Sequence, residues 1–351
     1  MDDFDAAVES FRTGAYADAI RSFSLVPDSS HLRGRALIGI GRAQYLLGDY
    51  LGAASSFDSA MVLAGDRAAD ALMYKAIALA DLGQFSEALR TIDEAMAVGP
   101  QRADQLYNRG QIFMRMGRFL EAEGDFMVTV AAAPGNDRNL TYAALAAAEG
   151  GFLERAIDRC QAVIFRNPQS SMALNVLSIA EARLGRLSDS LSHVTMAIEI
   201  WPSEANFYYN RGCTFRALKD LPKAIADFSR AIELRPGYAK AFTNRGNCCL
   251  GIEDVTGAIA DFSTAISLGD TISYFSRANV YVNRGNLNAA LADFDRSIQH
   301  HPKHRDSYIG RSLVNRELGL EQDSVRDYET AVRIIRDIKK GEYEASARVT
   351  A

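Results

Sequence analysis

Tryptophan is almost missing from this chain, with one in 351 residues, and cysteine and proline are scarce at four and eight. Cys160, Cys213, Cys248 and Cys249 show no CxxC spacing and no matching histidine pair, which argues against a disulfide framework and against a zinc site. His300, His301 and His304 share one short segment, but beside Pro302 and without carboxylates or cysteines at ligand spacing they read as an exposed connector, so no metal or cofactor is expected. No stretch approaches the ~18 apolar residues that a membrane helix needs. The start, Met1-Asp2-Asp3-Phe4-Asp5, lacks the basic region and apolar run of a secretory signal. Basic excess is absent too: 39 Lys and Arg against 44 Asp and Glu give a formal charge of −5, a poor match for nucleic acid. There is no GxxxxGK[ST], HExxH or GxSxG motif, and almost nothing lies outside the pattern described next from which to build a catalytic domain, so no enzyme is expected. Together these absences predict a cytoplasmic protein that binds no nucleic acid and inserts in no membrane.

What is present is periodicity. Gly14, Gly48, Gly83, Gly117, Gly151, Gly185, Gly285 and Gly319, with Lys219 and Glu253 in the same register, recur at intervals of 34, 35, 34, 34, 34, 34, 34, 32 and 34 residues. Ten units thus fill nearly the whole chain. Seven residues before each marker the side chain is small (Ala7 through Gly110 and Gly246 to Ser312), and five after it stands Ala or Ser. Nine after it comes a bulky place, aromatic in seven units but Ile92, Cys160 and Val194 in three. Six of the eight prolines (Pro100, Pro134, Pro168, Pro202, Pro236, Pro302) fall seventeen after a marker. Apolar and small residues at three- and four-residue steps on both sides of the marker predict two amphipathic helices per unit. The glycine supplies the turn and proline ends the second helix. One such pair cannot bury its own apolar face, so neighbours must stack.

In period, paired helices, small places, aromatic place and terminal proline the chain resembles the tetratricopeptide repeat family. The resemblance implies an all-α right-handed superhelix (an α-solenoid) of about ten helix-turn-helix repeats, with first helices lining a concave groove and second helices on the outer face. On this reading residues 2–336 form a single array, and residues 337–351 a C-terminal helix extension whose tail frays from Gly341. One residue is inserted near Gly65-Asp66-Arg67 and two are missing around Gly269-Asp270-Thr271, marking irregular joints. Cys160 and Val194 at the aromatic place make residues 137–204 the softer stretch.

Two further patterns bear on function. Arginine stands eight before the marker in five units (Arg109, Arg211, Arg245, Arg277, Arg311), and aspartate eight after it in the same five (Asp125, Asp227, Asp261, Asp293, Asp327). The coincidence predicts ion pairs joining the two helices of a unit or adjacent units. Nine before the marker lies a place that faces the groove in the family, and here it holds Asn108, Asn210 and Asn244. Other first helices add Asn206, Asn247, Asn279 and Asn283. With Tyr209, Phe275, Lys240 and Arg216 they offer amides, apolar area and positive charge to a peptide or helical segment of another protein. The row resembles the asparagine ladder in the repeat domain of O-GlcNAc transferase. The same amides could equally cap or bridge neighbouring helices.

The resemblance also argues against a carboxylate clamp of the chaperone-binding kind. Asn210 is flanked by Asn175, Ile179, Lys240 and Asn244, Asn244 by Tyr209, Cys213, Ile272 and Ser276, and Asn108 by Met73, Ile77, Arg138 and Tyr142, none of which supplies the required set. Two readings follow: an adaptor or scaffold holding a partner in its groove through units 205–317, or a structural subunit of a large cytoskeletal or ciliary assembly using its outer face and edges.

Overall fold

A computed structural model describes residues 3–63, 65–98 and 102–349, the side chains of Asp66 and of residues 338–349 excepted. The described residues form twenty α-helices, one 3₁₀ turn and no strand. Clustering in space gives two compact units that divide at Leu184 and Gly185, inside the stretch 137–204.

The first unit holds α1 (Asp3–Arg12), α2 (Tyr16–Ser24), α3 (Arg33–Leu46), α4 (Tyr50–Leu63), α5 (Ala68–Asp81), α6 (Phe85–Ala97), α7 (Ala103–Arg115), α8 (Phe119–Ala132), α9 (Asp137–Glu149), α10 (Leu153–Arg166) and α11 (Ser171–Arg183). The second holds α12 (Leu187–Ile200), α13 (Ala205–Ala217), α14 (Leu221–Leu234), α15 (Ala239–Gly251), α16 (Val255–Ser267), α17 (Ser273–Asn283), α18 (Leu287–His300), α19 (Arg305–Glu317) and α20 (Glu321–Val349). Within each unit consecutive helices pack side by side, as a solenoid of helix pairs requires. None of the described helices is long and apolar enough to cross a membrane.

Every marker position has a left-handed backbone. The eight glycines have φ between 71° and 84°, and Lys219 and Glu253 adopt the same conformation at 62° and 66° without glycine's freedom. In both of those turns the next residue, Asp220 or Asp254, caps the second helix by accepting a hydrogen bond from the backbone of Lys223 or Gly257. At the other end, the residue before Pro134, Pro168, Pro202, Pro236 and Pro302 is extended, with φ from −143° to −128° and ψ from 71° to 89°. That is the conformation proline's ring imposes on its predecessor, and it is why the second helices stop there. Pro100 lies outside the described residues. The inserted residue near Gly65 is taken up by the 3₁₀ turn Gly65–Arg67. At the shortened joint, where no proline sits, the Asp270 carboxylate accepts from Ser273 Oγ at 3.0 Å and also from Thr243 Oγ1.

The bulky place is the centre of each pair. Phe57, Phe126, Phe228 and Phe262 press against Gly41, Gly110, Gly212 and Gly246 of the same pair, where a Cβ would lie under 3 Å from the ring. Where that place holds Ala7 or Ala278, the ring of Phe23 or Phe294 leans instead on Gly39 or Gly310 in the next pair's first helix. Each of these rings therefore has one glycine beneath it. Cys160 and Val194 are themselves fully buried, Cys160 among Ala144, Ala147, Ala156 and Val176. The C-terminal helix continues past Gly341 to Val349. Helix-forming Glu, Ala and Arg residues between Glu342 and Arg348 sustain it against that one glycine. Thr350 and Ala351 lie outside the described residues.

Candidate functional site

All five Arg–Asp pairs form, and each joins the two helices of one pair. Arg245 donates from Nε and one terminal nitrogen to the two carboxylate oxygens of Asp261, at 2.8 and 2.7 Å, and the other four share this two-pronged geometry. The aspartates are almost buried while the arginines keep about a fifth of their surface, so the charge is largely removed from water but fully hydrogen-bonded. Asp261 holds the Arg245 guanidinium above its ordinary pKa, chiefly through that hydrogen bond. The remaining nitrogen reaches the second helix of the preceding pair: Arg109 to Asp93, Arg245 to Ser229, Arg277 to Ser263 and Arg311 to Asp295, at 2.6–3.0 Å. This third contact was not expected. Its only signal in the sequence is an Asp or Ser ten residues after the preceding marker. These four arginines thus fix the spacing of successive helix pairs.

The residues expected to meet a partner fall mainly on α13, α15 and α17. Tyr209 of α13 stacks on Tyr238, with ring centroids 5.0 Å apart, and packs on Phe228 beneath. Burial raises the phenol of Tyr209, and takes that of Tyr238 up to about 12, so both are neutral hydroxyls at physiological pH. Asn244 of α15 is the hub. Its carbonyl oxygen accepts from Arg216 at 2.6 Å, and its amide nitrogen donates to the Tyr209 hydroxyl at 3.0 Å and to the backbone oxygen of Lys240 at 2.9 Å.

That geometry corrects part of the asparagine reading. Both donor hydrogens of Asn244 are already engaged within the protein. The oxygen of Asn206 accepts from Tyr238 at 2.8 Å and Arg235 at 3.3 Å. Asn279 donates to the backbone oxygen of Phe275 one turn earlier. These three bridge or brace helices, because the amide's short reach finds an adjacent helix or its own preceding turn before it finds solvent. Asn210 is half-buried, and its backbone oxygen accepts from Thr214. Asn108 and Asn247, half-buried, and Asn283, exposed, make no side-chain hydrogen bond among the described residues. Arg216 and Lys240 are exposed, and both are bonded to Asn244. Phe275 repeats the arrangement of Tyr209 two joints on, edge-on to His304 at 4.8 Å and above Phe294.

Tyr238 and His304 were missed by sequence reading because they precede α15 and α19 rather than lying within them. Their signal is a ring just before a first helix, following an aromatic ten residues before the previous marker. His300 stacks on Tyr274 and His301 bonds Thr271, so the three histidines turn to different partners. No cluster that could hold a metal occurs among the described residues.

Family models described as tetratricopeptide repeat match residues 205–238 in one case and residues 75–137, 143–205 and 275–337 in another, the second alone covering more than half of the chain. No curated protein matches the sequence significantly. Among solved structures, a tetratricopeptide repeat protein from Parabacteroides merdae is similar over 67% of this chain and 93% of its own, at 20% identity and a TM-score of 0.58. The human IFIT1 dimer with m7Gppp-AAAA is similar over 94% of this chain and 88% of its own, at 13% identity and a TM-score of 0.59.

Proposed function

We propose, from the premise that the chain belongs to the tetratricopeptide repeat family, that this interaction scaffold is a non-catalytic cytoplasmic adaptor holding a peptide or helix of another protein on the first-helix face of residues 205–317. The observation that carries the reading is the half-buried Tyr209–Tyr238 stack with exposed Arg216 and Lys240 beside it. A partner side chain laid on the stack would bury aromatic area, and the two cations would select an acidic or carbonyl-rich neighbour. Asn244 acts by holding Tyr209 and Arg216 in place, while Asn108, Asn247 and Asn283 keep amides for a partner's backbone. The similar human IFIT1 structure is a dimer with m7Gppp-AAAA, but a formal charge of −5 and extensive Arg–carboxylate pairing favour a protein ligand here.

A second reading, a structural subunit of a cytoskeletal or ciliary assembly, draws support from apolar side chains left in solvent on second helices. Phe165 on α10 is 90% exposed and Val62 on α4 is 85% exposed. Affinity purification followed by mass spectrometry separates the two. With Arg216→Glu/Lys240→Glu and Phe165→Glu variants of unchanged helical circular dichroism, the adaptor reading expects a discrete partner lost from the first variant only. Loss from the second variant alone would replace it with the structural reading.

A further inference from the structure

The first-helix face of the opening three pairs carries a different surface. Arg35 and Arg42 stand seven residues apart on α3, both exposed, and neither has a carboxylate partner among the described residues. Each is seated on aromatic faces instead. Arg35 lies 5.3 Å from the Phe4 ring of α1, and Arg42 lies 5.0 Å from Phe11 of α1 and 5.2 Å from Tyr74 of α5. Phe4 and Phe11 are themselves seven apart, so the two helices present two cation–aromatic rungs about 10 Å apart, two helical turns. Between the rungs opens an apolar-floored cavity of about 220 Å³, reached by Val8, Ile38 and Gly39, with the Phe23 ring beneath Gly39. The remaining charges at its rim, Arg67 and Asp70, are paired with each other at 3.1 Å, and Asp70 also with Arg102 at 2.6 Å. The excess positive charge is therefore that of Arg35 and Arg42. In the Arg–Asp units described above, by contrast, each guanidinium already holds a carboxylate.

We propose that this face docks an amphipathic helix of another protein through two carboxylates seven residues apart, one for each arginine, with an apolar side chain between them entering the cavity. The spacing selects a helix over a strand: residues seven apart on a helix share one face at about 10 Å, whereas strand residues at that separation are three apart and point to opposite faces. Chemistry selects carboxylates, since a guanidinium already positioned on an aromatic face keeps its planar fork free for two-pronged contact. A cavity of ~150 Å³ holds a benzene ring, so there is room for one leucine or phenylalanine. The site is separate from the tyrosine stack of residues 205–317 and stands or falls independently of it.

The test uses the full chain and a fluorescein-labelled synthetic helical peptide with glutamates seven apart flanking a central leucine, read by fluorescence anisotropy. Arg35→Gln and Arg42→Gln should each weaken binding by about tenfold, and Arg186→Glu, at an exposed arginine outside both surfaces, should leave it unchanged. Arg35→Glu/Arg42→Glu should lose the glutamate peptide and gain the same peptide carrying lysines, a reversal that misfolding would not produce. Equal binding of glutamate and lysine peptides by the wild type, or unchanged glutamate binding by the arginine variants, overturns the proposal. So does competition by a single-stranded RNA oligonucleotide that displaces the peptide from the wild type while the peptide shows no charge preference.

Discussion

An arginine at one place in five helix pairs joins the two helices of its own pair, and in four of them its third nitrogen also closes the joint to the preceding pair. The pairing with aspartate was suggested by both residue types occurring in the same five units, a match that duplication of the repeat would also give, and the structure supplies the contact that a buried carboxylate needs. The third contact was not readable, since either Asp93 or Ser229 satisfies the last nitrogen and no residue type marks the position. Removing only Asp261, whose side chain is 9% exposed, leaves Arg245 partly buried without its counter-charge. Asp261→Ala should therefore destabilise by about 2–3 kcal/mol, more than Arg245→Ala/Asp261→Ala together. A double-mutant cycle by urea denaturation checks this, and zero coupling would contradict it. The asparagines teach the opposite lesson. Asn206, Asn244 and Asn283 look alike in sequence, yet two are engaged by neighbouring side chains and one is not, because only spatial distance to a tyrosine or arginine decides.

At the level of the helix and its turns, the marker does the same job ten times, eight times with glycine. Lys219 and Glu253 hold left-handed backbone with a Cβ in place, a conformation that costs an ordinary L-residue about 1–2 kcal/mol. Their following aspartates offset part of this by capping α14 and α16. Lys219→Gly and Glu253→Gly should each raise stability by about 0.5–1 kcal/mol, the strain relieved less the added freedom of the unfolded chain. Thermal denaturation followed by circular dichroism measures it, and a lowered midpoint in both variants would show that no strain is stored there. The packing of rings on glycines also belongs to this scale. The small place and the aromatic place were visible separately, but the alternation between Gly41 beneath Phe57 and Gly39 beneath Phe23 appears only once the next pair is stacked.

Across the whole molecule, buried acids that stay neutral set the response to pH. Burial lifts the Cys160 thiol from 9.0 to about 12 and Cys248 to about 11, and raises the phenols of Tyr45, Tyr107 and Tyr209. Their unfolded counterparts ionise first as pH rises, so above ~9 the folded state binds more protons than the unfolded one. The stability they contribute is complete below pH ~9 and falls as pH climbs towards 12, by up to about 1.4 kcal/mol per group per pH unit. Denaturation midpoints measured from pH 7 to 11 should be flat and then decline, and reaction of these thiols with a disulfide reagent at pH 8 should be slow. A midpoint that holds level to pH 11 would mean that these groups are solvated in the folded state.

The sequence by itself determined the helix pairs, their turns, their proline stops and the family, because each depends on local backbone preference and on periodic burial repeated ten times. It also carried the five ion pairs, whose two members keep a constant separation within one unit. The tertiary structure decided what happens where pairs meet: which asparagines become braces, which rings stack beside a cation, which glycine lies under each phenylalanine, and which arginines are left without a carboxylate. It also decided that the chain forms two compact units dividing at Leu184 and Gly185. Those outcomes depend on the distance between side chains of successive pairs, a quantity that a repeating pattern averages away and that only the packed structure supplies.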